Sequence, residues 1–323
     1  MTTKEKLLAI FLKQAEQPLS GEVLGKKLNV SRTAVWKAIQ TLKKEGHLIE
    51  SLPNVGYVYL PSDTILASEI LKNIGTHVPQ LTIQVEKEVT STNDLLKKAS
   101  IDGVDQPVLL IAENQTKGRG RFGRDFISNA EKGIYFSLLL NVQKKFNELP
   151  SYTILSAAAL AAAIEKKTEK NCQIKWVNDL YYQNKKIAGI LSEATTDFET
   201  QSITSIVIGV GLNFLMSPAA IPTELQEKVG SLFTEQPEIT RNQLIAEFLN
   251  QFFDMLQDKE QNFLTEYRQR SFVLGKQVTF KQQGKICRGV AKAIGNTGEL
   301  IVTLDTGGEV ALSSGEISLS SIT

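Results

Sequence analysis

Glu113-Asn-Gln-Thr-Lys-Gly-Arg-Gly-Arg-Phe-Gly-Arg-Asp-Phe126 sets Gly118, Gly120 and Gly123 among Arg119, Arg121 and Arg124 within seven residues. Glycine admits positive φ and lets a ligand approach main-chain N–H groups. Arginine adds planar, permanently charged forks suited to carboxylates and phosphates. The glycines match G-x-G-x-x-G, but that fingerprint needs a helix starting directly after it. Asp125-Phe-Ile-Ser-Asn-Ala opens no apolar helical stripe, and Arg124-Asp125 stands where a P-loop has Lys-Ser/Thr. An RGG-type tail is disfavoured by the flanking apolar runs, Val108 to Ala112 and Ile134 to Leu140. The stretch is expected to be a ligand loop inside a folded unit, closing on a small anion, in preference to a solvated basic loop. Like charge and glycine content predict that it orders fully only with that anion.

The chain has 323 residues, enough for two or three domains with real cores, and a net charge of +1. Any nucleic-acid contact must therefore come from a local patch. Cys172, Cys287, His47 and His77 are scattered, which disfavours a His/Cys metal centre and suits a reducing compartment. No signal peptide is read at the N-terminus, and the most apolar stretch, Tyr152 to Ile164, is too short to span a bilayer. A cytoplasmic protein with no membrane contact is expected.

Residues 1–62 read as three short helices and a hairpin. Lys4 to Ala15 has helical apolar spacing; Ser20 caps Gly21 to Leu28, with Val23, Leu24 and Leu28 inward; Ser31 caps Arg32 to Glu45 over Val35, Ile39 and Leu42. His47 to Leu60 turns at Pro53-Asn-Val-Gly56. This is the winged helix-turn-helix order, with Ser31, Arg32, Thr33, Trp36, Lys37 and Gln40 on the face that would enter a major groove. The competing reading is a protein-docking three-helix module whose lysines are simply solvated. One such head makes few contacts, so binding double-stranded operator DNA implies a dimer.

Residues 63–271 follow a joint at Pro61-Ser-Asp63. A short helix is expected over Ala67 to Ile74, a strand over Leu81 to Val89, and a helix over Leu95 to Ser100 preceded by the polar cluster Thr90-Ser-Thr-Asn-Asp94. That cluster reads first as a cap, although a helix N-terminus can also grip a polar head group. Strands over Val108 to Glu113 and Gly133 to Leu140 flank the ligand loop, and Ser151 to Lys167 is an alanine-rich helix. Gln173 to Tyr182 and Lys186 to Glu193 are expected as a hairpin, with Asn178 and Asp179 near one end and Lys185 and Lys186 at the other. Asp179 could organise Mg²⁺ around a nucleotide triphosphate, or equally pair with Lys175. Ile203 to Phe214 reads as a buried strand on which Gly209-Val-Gly-Leu-Asn213 admits a ligand. Thr240 caps a long helix with Leu244, Ile245, Phe248, Leu249, Phe252, Phe253 and Leu256 inward. Residues 272–323 show four short strand candidates punctuated by glycines, an SH3-like small barrel or a packing lid.

Five motifs occur in order: Ser-Thr-Asn at 91–93, the Gly-Arg-Gly-Arg-Phe-Gly-Arg loop at 118–124, Lys-Trp-Val-Asn-Asp-Leu at 175–180, Lys-Ile-Ala-Gly-Ile-Leu at 186–191 and Gly-Leu-Asn at 211–213. Together they make the chain resemble, over its whole length, the bifunctional biotin protein ligases that double as the biotin operon repressor. The resemblance implies an α+β multidomain protein: a winged helix-turn-helix over 1–62, a central mixed-sheet ligase domain with flanking helices over 63–271, and an SH3-like barrel over 272–323. It implies that Ser91, Thr92, Asn93 and Gln115 hold biotin, and that Arg119, Gly120 and Arg121 close over its carboxylate beside Lys186. Asn178, Asp179, Asn213, Arg121 and Arg124 would face ATP, with Mg²⁺ at Asp179; Lys186, Arg119 and Arg121 would be the catalytic groups. Implied chemistry is adenylation to biotinyl-5′-AMP, then transfer to a lysine of a biotin carboxyl carrier protein domain of acetyl-CoA or pyruvate carboxylase. The adenylate would also serve as corepressor and favour a homodimer. Phe126 stands where the family commonly has Trp, Val177 where it has Pro, and Ser320 where some relatives carry Arg. Two rivals remain at this stage, a ligand-sensing transcription factor without ligase activity and a lipoate-type ligase.

Overall fold

The computed structural model describes residues 2–60, 63–126, 128, 132–145, 149–197, 202–282 and 284–319, without the side chains of 143–145, 149–150 and 197. These form two compact units, residues 1–66 and 67–323. The division falls after Leu66, beyond the joint expected at 61–63, because Thr64 and Leu66 come back beside Gly46. Residues 272–323 do not separate as a compact unit of their own.

In the first unit α1 (Thr3–Lys13), α2 (Gly21–Leu28) and α3 (Arg32–Lys44) precede the hairpin β1 (Ile49–Leu52) and β2 (Gly56–Tyr59). The three N-caps are Thr2, in a capping box with Glu5, then Ser20 and Ser31, each accepting a hydrogen bond from an orphan helix N–H. Leu7, Phe11, Leu24, Val35, Ile39, Leu42, Ile49 and Tyr59 form one core. Val23, expected inward, is instead exposed, since α2 contributes only Leu24 and Gly25 to the interior. Leu19 exchanges two backbone hydrogen bonds with Tyr57, adding a short third edge to the wing.

The second unit begins with α4 (Ala67–Asn73), β3 (Thr82–Val89), α5 (Thr92–Ile101), β4 (Val108–Gln115), β5 (Lys132–Lys145) and α6 (Leu149–Thr168). It continues through β6 (Gln173–Lys175), β7 (Asp179–Tyr182), β8 (Lys185–Asp197), β9 (Ser202–Leu215), α7 (Arg241–Gln257) and α8 (Phe263–Arg270). Seven strands make a mixed sheet, in the order β3-β4-β5-β9-β8-β7-β6, parallel only between β3 and β4. Strand alternation sorts its two faces. Val108, Leu110, Leu139 and Val207 receive Leu96 of α5, while Phe136 points the other way to Phe248 of α7, with ring centroids 5.1 Å apart. Five further strands, β10 (Gln277–Gln282), β11 (Lys285–Ile294), β12 (Leu300–Leu304), β13 (Glu309–Leu312) and β14 (Ile317–Leu319), form an antiparallel sheet in the order β13-β12-β11-β10-β14.

The structure differs from the sequence reading at five points. Helix α5 starts at Thr92, so Thr92, Asn93 and Asp94 are its first turn and Ser91 is its cap. The expected first limb of the 173–182 hairpin is broken at 176–178, because that segment's polar groups go elsewhere. Trp176 Nε1 donates to Gly298 O (2.9 Å), Val177 O accepts from Tyr267 Oη (3.0 Å), and Asn178 O accepts from Ile190 N (3.0 Å). Helix α8 and strand β14 were not anticipated; Leu256, expected inward on α7, is partly exposed.

Helix α7 also steers the ligand loop. Arg241, its first residue and 5% exposed, donates to Glu113 at the end of β4 (2.7 Å) and to Gly133 O at the start of β5 (3.1 Å). Thr240 and Gln243 form the capping box that starts this helix. Thr240→Ala should therefore lower stability by about 1 kcal/mol in urea denaturation, and Thr240→Ser should leave it within a few tenths.

Candidate functional site

The site lies on the α5 face of the mixed sheet. Gly189 and Gly211 face each other in the β8–β9 register, with Gly209 opposite Leu191, so the floor of the cleft has almost no side chains. The space is used at close quarters. A Cβ on Gly211 would lie 2.5 Å from the Phe126 ring, and one on Gly209 would lie 2.1 Å from Asn93 Oδ1. Phe126 thus turns inward onto the floor, edge-on to Tyr135.

One wall is the first turn of α5 and its network. Gln115 Oε1 accepts from Thr92 N (2.8 Å) and Thr92 Oγ1 (3.1 Å), and Gln115 Nε2 donates to Ser128 Oγ (3.0 Å). Ser137 Oγ lies 2.7 Å from Thr92 Oγ1 and 2.6 Å from Asn93 Oδ1. Asn93 Nδ2 donates to Leu191 O (3.3 Å) and Glu193 Oε2 (2.8 Å). Asn93 is therefore committed to holding the wall, and Ser91 Oγ caps α5 by accepting from Asp94 N. Both line the cleft, together with Thr92 and Gln115.

The ligand loop crosses the cleft as a strap. Gly120 N donates to Arg124 O (2.7 Å) and Phe126 N to Gly118 O (2.9 Å), which folds 118–126 back on itself with Phe122 in the left-handed region at the tip. Each arginine then has its own acceptor. Arg119 pairs with Asp94 (3.1 Å), Arg121 Nη1 donates to Asn178 Oδ1 (3.2 Å), and Arg124 makes a two-pronged pair with Glu316, 2.7 Å on its Nη1 limb. Burial pulls the Arg121 guanidinium below its ordinary value, opposed by Asp179 and Glu316. Lys175 is lowered for the same reason and opposed by the same two carboxylates.

Asp179 and Lys186, expected at opposite ends of a hairpin, meet. Lys186 Nζ stands 2.8 Å from Asp179 Oδ1, although Lys175 is the residue across the ladder. The Lys186 contact is an ion pair outside hydrogen-bond alignment, since that buried oxygen receives no hydrogen bond. Its charge is met by Lys186, and a carboxylate oxygen without a hydrogen bond in a cleft of cations is a hard donor of the kind a divalent cation can take. Among the described residues no group of three or more His, Cys, Asp or Glu could hold a metal. Asn213 falls elsewhere. Its Nδ2 donates to Gly230 O (2.8 Å), and it lines a second, more apolar cavity with Ile221, Leu225 and Val229. The two cavities share Asp125, Phe126 and Lys186.

In the first unit, Arg32, Thr33, Trp36 and Lys37 are exposed on α3 and Gln40 is half-buried. Ser31 Oγ accepts from Ala34 N and is spent on the cap. Sequence reasoning missed Glu316, Ser137, Ser128 and Lys175 as site residues. Lys175 sat inside a quoted motif; for the other three no local pattern could mark them, because they reach the site only through sheet pairing.

Comparison with known proteins agrees with this architecture. Residues 85–213 match the biotin/lipoate A/B protein ligase family, residues 3–58 an HTH domain, and residues 273–320 the biotin protein ligase C-terminal domain. The bifunctional ligase/repressor BirA of Bacillus subtilis is 32% identical over 72% of this chain and 71% of its own. The BirA of Escherichia coli is 30% identical over 92% of this chain and 94% of its own. Among solved structures, the Aquifex aeolicus biotin protein ligase in complex with biotin and ATP superposes with a TM-score of 0.61 at 27% identity, covering 74% of this chain and 98% of that one. The class is a protein ligase fold carrying a helix-turn-helix head. The chain belongs to the bifunctional ligase/repressor BirA family.

The wall network makes a direct prediction. Asn93→Ala removes three buried hydrogen-bonding interactions and should cost about 2 kcal/mol in thermal or urea unfolding, whereas Ser137→Ala, which removes one hydroxyl, should cost about 1 kcal/mol.

Proposed function

We propose that this chain is a biotin protein ligase and a biotin-controlled transcriptional repressor. The carrying observation is that Arg121, Asn178, Asp179 and Lys186 converge over a glycine floor under a cationic strap, in a chain of this family. The biotin carboxylate attacks the α-phosphorus of ATP, pyrophosphate leaves, and a mixed anhydride, biotinyl-5′-AMP, forms. A lysine amine of a carrier protein domain then attacks the acyl carbon and AMP departs. Neither step needs a nucleophile from this chain. Its contribution is to align the two substrates and to set fixed cations against the oxyanions.

In this reading Ser91, Thr92 and Gln115 receive the ureido head, the Phe126 ring withdraws from Gly189 and Gly211 to admit the bicyclic ring, and Asn93, seated against Gly209, holds the wall behind it. Arg121 and Lys186 take the carboxylate and α-phosphate. Lys186 exchanges its Asp179 partner for the developing phosphate charge, and Asp179 would then be free to hold a cation accompanying the polyphosphate. Mg²⁺, when bound with ATP, supplies charge neutralisation for the departing pyrophosphate. The second cavity, apolar and adjoining through Lys186 and Phe126, suits the nucleoside, with Asn213 bracing the segment that covers it. Residues 272–323 form an SH3-like barrel that completes the site through Glu316; Ser320, where a nucleotide contact was doubted, lies outside the described residues. No helix among the described residues is long and apolar enough to cross a membrane. Cytosolic work suits the free cysteines Cys172 and Cys287.

The head reads operator DNA through Arg32, Thr33, Trp36, Lys37 and Gln40 as a homodimer favoured by the adenylate, so one intermediate reports biotin supply to the genes. The full set of Arg119, Arg121, Asp179 and Lys186 in one cleft argues against a sensor without chemistry.

The deciding assay is exchange of labelled pyrophosphate into ATP. Exchange is expected with biotin and not with lipoate, and should fall at least about a hundredfold in Lys186→Ala; exchange with lipoate alone, or none, would overturn the assignment. For the head, Lys37→Ala should weaken binding to any duplex and flatten the salt dependence by about one unit of slope. Trp36→Ala should weaken operator binding more than random-duplex binding, as gel-shift titrations over a salt series would report.

A further inference from the structure

We infer that Asp94 and Glu316 are the positioning residues of the strap, two carboxylates on separate elements that hold 118–126 over the cleft through Arg119 and Arg124. This rests on the ligase reading for its consequence and on geometry alone for its existence. The strap is tied to itself by the Gly120–Arg124 and Gly118–Phe126 backbone bonds, so it moves as one piece and its place is set by what its side chains grip. Four grips are present: Arg119 on Asp94, Arg121 on Asn178, Arg124 on Glu316, and the Phe126 ring on the floor. Arg119, Arg121, Arg124 and Phe126 all line the cleft, but only Phe126 lies on the glycine floor and only Arg121 is mostly buried among the strap arginines, so these two are the grips that an incoming acid would rearrange. Arg119 and Arg124 are mostly exposed, at 53% and 63%, and their partners sit outside the floor. Both grips are made with no ligand present.

The chemistry gives them a purpose. A mixed anhydride is destroyed by water and lost by dissociation, and the strap is the element that covers it. Asp94 belongs to the helix whose first turn forms the wall, so gripping it registers the strap to the acid's head group. Glu316 immediately precedes β14, the end strand of the antiparallel sheet, so gripping it registers the strap to the phosphate side and makes that sheet part of the catalytic unit. The Glu316 carboxyl is held below its ordinary 4.5 first by its hydrogen bond to Arg124, with Lys175 and Arg121 adding attraction and burial opposing. A group lowered in this way stabilises the fold fully above its unfolded value and loses that contribution as pH falls through the folded one. The melting-temperature gap between the protein and Glu316→Gln should accordingly narrow below pH 4.5 and vanish at lower pH.

The test uses the full chain with Asp94→Asn, Glu316→Gln, their combination, and Glu316→Asp as the conservative variant. The first readout is the rate of tryptic cleavage at Lys117, Arg119, Arg121 and Arg124 in the ligand-free protein, followed by mass spectrometry against sites elsewhere in the chain. Each single variant should raise strap cleavage about threefold and the pair about tenfold, with Glu316→Asp recovering most of the protection. The second readout is release of labelled biotinyl-5′-AMP, which should accelerate by similar factors in the same order. Unchanged strap cleavage in all variants would overturn the grip. Faster cleavage with unchanged adenylate release would overturn the positioning role. A parent protein that forms no adenylate would instead remove the ligase reading, and the cleavage rates would still decide whether the two carboxylates hold the strap.

Discussion

Three guanidinium groups within six residues cannot stay near one another in a shallow cleft without counter-charge, and the answer to that constraint organises the second unit. Asp94 from α5 and Glu316, just before β14, each pair with one arginine, while Arg121 donates to the neutral Asn178 amide and draws its counter-charge from Asp179 and Glu316. The Asp179–Lys186 pair supplies a fourth contact beside them. Exposed ion pairs are individually worth little. Here they act on one segment folded back on itself by two backbone hydrogen bonds, so they hold it at several points together. The site is arranged so that cations outnumber anions near the floor, the balance needed to receive a carboxylate and a polyphosphate together.

The rest of the fold delivers those partners. Arg241 clasps the outgoing end of β4 and the incoming end of β5, which brings the two roots of the strap together. The glycines of β8 and β9 clear the floor, and the space they free is filled from above by Asn93 and Phe126. The break at 176–178 looks like an imperfection in a hairpin. It is where the backbone leaves the ladder so that Trp176 can bind the antiparallel sheet and Asn178 can meet Arg121. Phe126 lacks an indole N–H, so its hold on the floor comes from apolar contact and the edge-on Tyr135 ring.

The first unit is built on a different principle. Its core is small and continuous, and its three helices start on side-chain caps. That leaves the outer face of α3, with Trp36 half exposed among cationic and amide side chains, free for a groove. Local chemistry alone produces this module, which is why it was readable helix by helix.

The sequence by itself determined the order and nearly all the elements, the helix-turn-helix head, the cationic glycine loop and the family's five motifs, because caps, apolar periods and glycine clusters act within a few residues. It also marked Thr92, Gln115, Arg121, Asp179 and Lys186, which the fold gathers into one cleft. Asn213, marked with them, lies in the neighbouring cavity, and Leu256 and Val23 are exposed. Only the tertiary structure decided who pairs with whom. Lys175 is Asp179's ladder neighbour and was the natural ion partner by spacing, yet Lys186 takes the place. Glu316 lies 192 residues from Arg124 and carries no local signature. Sequence patterns report forces that fall off within a helical turn or a strand pair, whereas charge pairing in a cleft depends on distances fixed by the whole sheet.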